Sequence, residues 1–107
     1  MARIQRSVYD VVVAVVSDYG RMKKLLDKGN LTREQTISFT KKVAAVDNAL
    51  LVVCENESEE IMDALREDIA QKRGFSRSAA KAFYEEKTFI KRKSEVIRQI
   101  ARLMNLI

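Results

Sequence analysis

The residues best equipped to act on another molecule are cations near the C-terminus. Lys87, Lys91, Arg92, Lys93 and Arg98, with Thr88 among them, fall in one stretch of the chain. Ammonium and guanidinium groups grip the oxygens of polyanions, and a hydroxyl beside them adds a further donor. Other chemistry is sparse. There is no His, so the commonest general base and metal ligand is missing. The single Cys54 forms neither a zinc site nor a redox pair. The acidic run Glu55-Asn56-Glu57-Ser58-Glu59-Glu60 lacks the spacing and central Gly of a calcium loop. Gly20, Gly29 and Gly74 stand apart, so no phosphate-binding loop is present. These absences predict a chain that is not an enzyme, with no catalytic residue, no metal and no cofactor.

Charge is distributed unevenly. Up to Cys54 the chain has nine basic and five acidic residues; from 55 to 73 it has three and seven; from 74 onward it has eight and three. An acidic segment thus separates two basic ones. A clustered basic segment suits a polyanionic partner. A lone Cys fits a reducing compartment. The apolar run Val11–Val16 is too short for a membrane span or a signal peptide. A cytoplasmic location without membrane association is expected.

The elements that must position these cations read as helices throughout. With 107 residues, no Pro and three Gly, one all-α domain over 1–107 is expected. A first helix from Ile4 to Lys28 carries Ile4, Val8, Val11, Val15, Tyr19, Met22 and Leu26 on one face. Val13 points away from that face and offers a second contact surface. Thr32 with Gln35 makes a capping-box pattern for a second helix ending near Cys54. Phe39, Val43, Val46, Leu50 and Val53 form its stripe, and Ile37, Ala44 and Leu51 lie opposite. Being apolar on two sides predicts a central place for it. Asn56 with Glu59 repeats the pattern for a third helix, with Ile61, Met62, Leu65 and Ile69 inward and Gly74 as the C′ residue.

The remainder predicts a short helix capped by Ser76 and running to Tyr84, a tight turn at Glu85-Glu86-Lys87, and a last helix from Thr88 to about Leu106. Phe89, Val96, Ile97, Ile100, Leu103 and Met104 share its apolar face. At about 100° per residue, Lys91, Arg98 and Arg102 fall on the opposite face with Lys87 near them. This is the outline of a helix-turn-helix, whose second helix enters the major groove N-terminus first. About five helices are therefore expected: a bundle over 1–73, with a surface for oligomerisation, and a helix-turn-helix-like hairpin over 74–107.

The start of the last helix breaks a rule kept elsewhere. Lys87, Lys91, Arg92 and Lys93 oppose the helix macrodipole, at about 0.3–1 kcal/mol each when poorly screened. Local violations of this kind are where binding overrides stability. Lys93 also falls within the apolar face. Either it snorkels along its alkyl stem, or the first turn projects beyond the core. Glu85 and Glu86 would repel phosphate if aimed at it.

The order of these features resembles the small transcriptional regulators of Gram-positive phages and prophages, the ArpU/RinA-like late-operon activators. Val46-Asp47-Asn48-Ala49-Leu50 is similar to their Val/Ile-Asp-x-Ala-Leu segment. Thr88-Phe89-Ile90-Lys91-Arg92-Lys93, with Val96-Ile97, Ile100-Ala101 and Leu103-Met104-Asn105-Leu106-Ile107, resembles their C-terminal part, akin to region 4 of sigma-70-type factors. The resemblance implies double-stranded DNA as partner, with RNA polymerase and a second copy of the chain as further candidates. Lys87, Thr88, Lys91, Arg92, Lys93 and Arg98 are the expected DNA contacts. The competing expectation is a helical protein-interaction module, a phage-encoded adaptor or inhibitor, using the acidic third helix and Val13. RNA is a weaker fit, because the chain lacks the glycine-loop and aromatic-sheet signatures of the common RNA modules.

Overall fold

The computed structural model describes residues 4–72, 75–77 and 84–107. Among them the chain is all-helical: α1 (Arg6–Lys28), α2 (Arg33–Val53), α3 (Glu59–Gln71), a 3-10 turn (Phe75–Arg77) and α4 (Glu86–Leu103). No helix among the described residues is long and apolar enough to cross a membrane.

Each boundary has a local cause. The α1 helix ends where Gly29 takes a left-handed φ of 76° and its N–H returns to Leu25 O at 3.2 Å. A side chain there would cost about 1–2 kcal/mol. The expected capping box opens α2: Thr32 Oγ1 accepts from Gln35 N, and Gln35 Oε1 accepts from Thr32 N, both at 3.1 Å. The start of α3 differs from expectation. Ser58, not Asn56, is its N-cap, accepting from Ile61 N at 3.4 Å. Asn56 instead takes φ 69° and reverses the chain after α2, a conformation that Asn tolerates better than most residues. At the other end Lys72 takes a left-handed cap position at φ 54°; Gly74, the expected C′ residue, lies outside the described residues.

The last helix also starts earlier than expected. Glu85 is its N-cap, and Glu86 and Lys87 already belong to α4, so Thr88 is not the cap and residues 85–87 are not a free turn. Glu86 in the first turn complements the positive end of the dipole. Among the described residues there are four α-helices and one 3-10 turn, against an expectation of about five helices. The short helix expected from Ser76 to Tyr84 falls mainly on residues 78–83, outside the described residues; Ser76 itself lies in the 3-10 turn.

Packing explains two further departures. The hub is α1, which packs on α2, α3 and α4, while α2 lies chiefly between α1 and α4. The buried arc of α1 is accordingly wide: Val12, Val13, Val15, Val16, Tyr19 and Met22 are all buried. Val13 is therefore core and offers no second surface, whereas Val11 is partly exposed. The second apolar side of α2 is not buried: Ile37, Ala44 and Leu51 face solvent, although α2 reaches α1, α4 and, more lightly, α3. Phe89, Val96, Ile97, Ile100 and Ala101 of α4 join the same buried cluster as residues of α1–α3. The cation-bearing helix is thus built into the core along one side.

Candidate nucleic-acid interface

The burial of α4 sorts its cations. The core side runs through Phe89, Val96, Ile97, Ile100 and Ala101. Directly opposite, Lys87 and Lys91 are exposed, Arg98 is half-buried and Arg102 is exposed. At about 100° per residue these four fall within about 60° of one another, along about 22 Å of helix. Arg102, outside the expected contact set, belongs to the stripe by position. Its signal is the four-residue step from Arg98. Glu95, on the same helix, faces Arg92, its Oε2 lying 3.3 Å from Nη1.

Two expected contacts turn inward instead. Arg92 is half-buried, with Nε 3.7 Å from Glu57 Oε1 and Nη1 3.3 Å from Glu95 Oε2. Tyr84 donates its hydroxyl to the other oxygen of Glu57. The turn between α2 and α3 is thereby tied to the start of α4. Buried Cys54 adjoins this cluster; burial, reinforced by Glu57, pushes its thiol up to about 11. It stays protonated at neutral pH and is a poor nucleophile.

Lys93 takes the first of its two alternatives. Its side chain is half-buried, with Nζ 5.8 Å from the centroid of the Phe89 ring. Burial lowers its pKa, and the charge of the fully buried Asp68 on α3 partly restores it. Thr88 is half-buried in the first turn. The expected set of six thus divides: Lys87, Lys91 and Arg98 share the outer stripe, while Arg92 and Lys93 lie along the inner flanks. Two of the four cations set against the dipole, Arg92 and Lys93, thus have carboxylates nearby from Glu57 and Asp68.

The Val46–Leu50 segment has a packing role. Val46, Ala49 and Leu50 are buried, and Asp47 accepts a 2.6 Å hydrogen bond from Tyr19 of α1. Burial and Asp47 together raise the Tyr19 pKa. Arg66 of α3 stacks over the same ring at 4.6 Å, so one aromatic residue joins three helices.

No family model, curated protein or solved structure matches this chain.

The clefts are open and shallow in chemistry. One of about 470 Å³ lies between α2 and the end of α4, with Lys41 and Lys42 beside Leu103 and Met104. Another of about 370 Å³ surrounds Tyr19, Asp47 and Arg66, whose polar groups have partners within the protein. Among the described residues no group of three or more carboxylates, thiols or imidazoles is placed to hold a metal ion. What the arrangement does offer is a row of cationic side chains on a helix held rigidly from behind. Lysine supplies point charges for phosphates, and arginine a planar fork for phosphates or base edges.

Proposed function

We propose that this chain binds double-stranded DNA through the outer face of α4 and acts as a transcriptional regulator of the phage or prophage kind. The observation that carries the reading is the alignment of Lys87, Lys91, Arg98 and Arg102 opposite the buried side of α4. A helix buried on one side and cationic on the other is the shape that a major groove admits. The resemblance to late-operon activators supplies the transcriptional setting and RNA polymerase as a candidate partner. The contact set is accordingly Lys87, Lys91, Arg98 and Arg102, with Thr88 beside them.

Titration of a labelled duplex across a range of salt concentrations tests this. The wild-type chain binds at low salt. Lys87→Ala, Lys91→Ala and Arg102→Ala together lower the slope of log K against log salt by about 0.9 for each phosphate that is no longer neutralised. Absence of duplex binding at low salt overturns the reading.

One observation favours the protein-interaction alternative. Glu59, Glu60, Asp63 and Glu67 are all exposed on α3, a surface suited to a basic partner. That alternative predicts retention of a protein from nuclease-treated lysate, abolished on neutralising these carboxylates, together with no binding of duplex.

A further inference from the structure

The side of α2 turned away from the core carries a pattern that its own fold does not use. Ile37, Ala44 and Leu51 are spaced by seven and lie within about 40° of one another on the helix. All three are exposed; Ile37 retains 47% and Leu51 57% of its surface, and neighbouring Val52 retains 59%. Lys41 and Asn48, both exposed, fall between them. The positions 37, 41, 44, 48 and 51 alternate by four and three, the period of a two-helix seam. Scattered surface apolar residues need no explanation. A repeating row along one helix does, because that is how a helix presents a contact face.

Charge and size along the row point to the occupant. A two-fold axis crossing α2 at Ala44, with the helices antiparallel, sets Ile37 of one copy on Leu51 of the other. Ala44 meets Ala44, where the small side chains allow close approach. Arg33, exposed at the start of α2, meets Glu55, exposed just beyond its end. Lys41 falls opposite the region of Asn48, whose amide oxygen accepts from an ammonium group. A parallel arrangement would instead stack Arg33 on Arg33, Lys41 on Lys41 and Glu55 on Glu55. The surface is thus complementary to itself in one orientation, the requirement for an isologous two-fold interface. Beside the seam, the cleft of about 470 Å³ lined by Ala44, Ala45, Leu103 and Met104 continues the apolar surface toward α4.

We infer that a second copy of this chain packs antiparallel on the solvent-facing side of α2, about a two-fold axis at Ala44. The dimer carries two α4 helices, so a DNA site read by it has two half-sites related by the same symmetry. The interface itself does not depend on the DNA reading, and association is measured with no DNA present.

Sedimentation equilibrium of the full chain is the first measurement, and disulfide trapping the second. The wild type forms a dimer, and Ala44→Glu weakens it by at least about tenfold, or 1.4 kcal/mol. Arg33→Glu alone weakens association, and adding Glu55→Arg restores it. In trapping, Ala44→Cys cross-links to itself, whereas Ile37→Cys cross-links only when mixed with Leu51→Cys. Cys54 is buried and protonated, so it does not compete. Circular dichroism confirms that each variant is folded, as expected for exposed positions. A wild type that is monomeric throughout the micromolar range overturns the inference. So does a dimer unaffected by Ala44→Glu, or one in which Ile37→Cys cross-links to itself as fast as Ala44→Cys.

Discussion

Lys91 and Arg92 are adjacent in the chain and equal in charge, yet the fold gives them opposite surroundings. Lys91 stands in solvent on the outer stripe of α4; Arg92, about 100° around the helix, lies against Glu57 and Glu95. Lys87, one turn before Lys91, and Lys93, next after Arg92, repeat the contrast. The inner pair lies toward carboxylates of the bundle, whereas Lys87, Lys91 and Arg102 face solvent. A run of basic residues is therefore not one feature. Helical rotation divides it, and carboxylates from distant parts of the chain decide which half is consumed by folding.

The largest effect expected on the inner side comes from Phe89, which is almost fully buried. Phe89→Ala should destabilise the chain by about 3–5 kcal/mol, read by denaturant unfolding. A change near zero would mean that α4 is not anchored in the core, and the division of this helix into two sides would fail. Next is the Glu57–Arg92 pair. A double-mutant cycle with Glu57→Ala and Arg92→Ala should give a coupling of about 0.5–1 kcal/mol, modest because Arg92 retains some exposure. The same cycle between Glu57 and Lys91 should give none. A Lys91 coupling equal to that of Arg92 would erase the distinction.

A third effect is a pH dependence at Cys54, beside the inner cluster. Its thiol ionises near 9 when unfolded and near 11 when folded. The raised folded value means that its contribution to stability is whole below pH 9 and is lost as pH rises through 11. Unfolding free energies measured at rising alkaline pH should fall less steeply in Cys54→Ala than in the wild type.

Much of this organisation is legible in the sequence, but unequally. The Thr32–Gln35 capping box and the stripe Phe39–Val43–Val46–Leu50–Val53 follow from local spacing, and the structure contains them. Local spacing points to Asn56 with Glu59 as the cap of α3, but Ser58 fills that place. The choice falls to the chain reversal after α2, which places Asn56 in a left-handed conformation. The inner role of Arg92 is not legible, because Glu57 lies far away in sequence and reaches it only once α2 and α4 have packed. Val13 fails for a related reason: a single helical face describes a helix with one neighbour, and α1 has three. Among the cations of α4, periodicity alone identifies Lys87, Lys91 and Arg98 as outward-facing and marks Lys93 as anomalous. It leaves Arg92 undecided, at the edge of the apolar arc.

The most direct test sets those two neighbours, Lys91 and Arg92, against each other. Duplex affinity is measured against salt concentration for the wild type, Lys91→Ala and Arg92→Ala, with thermal unfolding of each run in parallel. Lys91→Ala should lower the salt slope by about 0.9 and leave the unfolding temperature unchanged. Arg92→Ala should lower the unfolding temperature and leave the slope of the folded protein as in the wild type. An equal drop in slope in both variants, or a drop confined to Arg92→Ala, would contradict the division of α4 into an inner structural flank and an outer binding face.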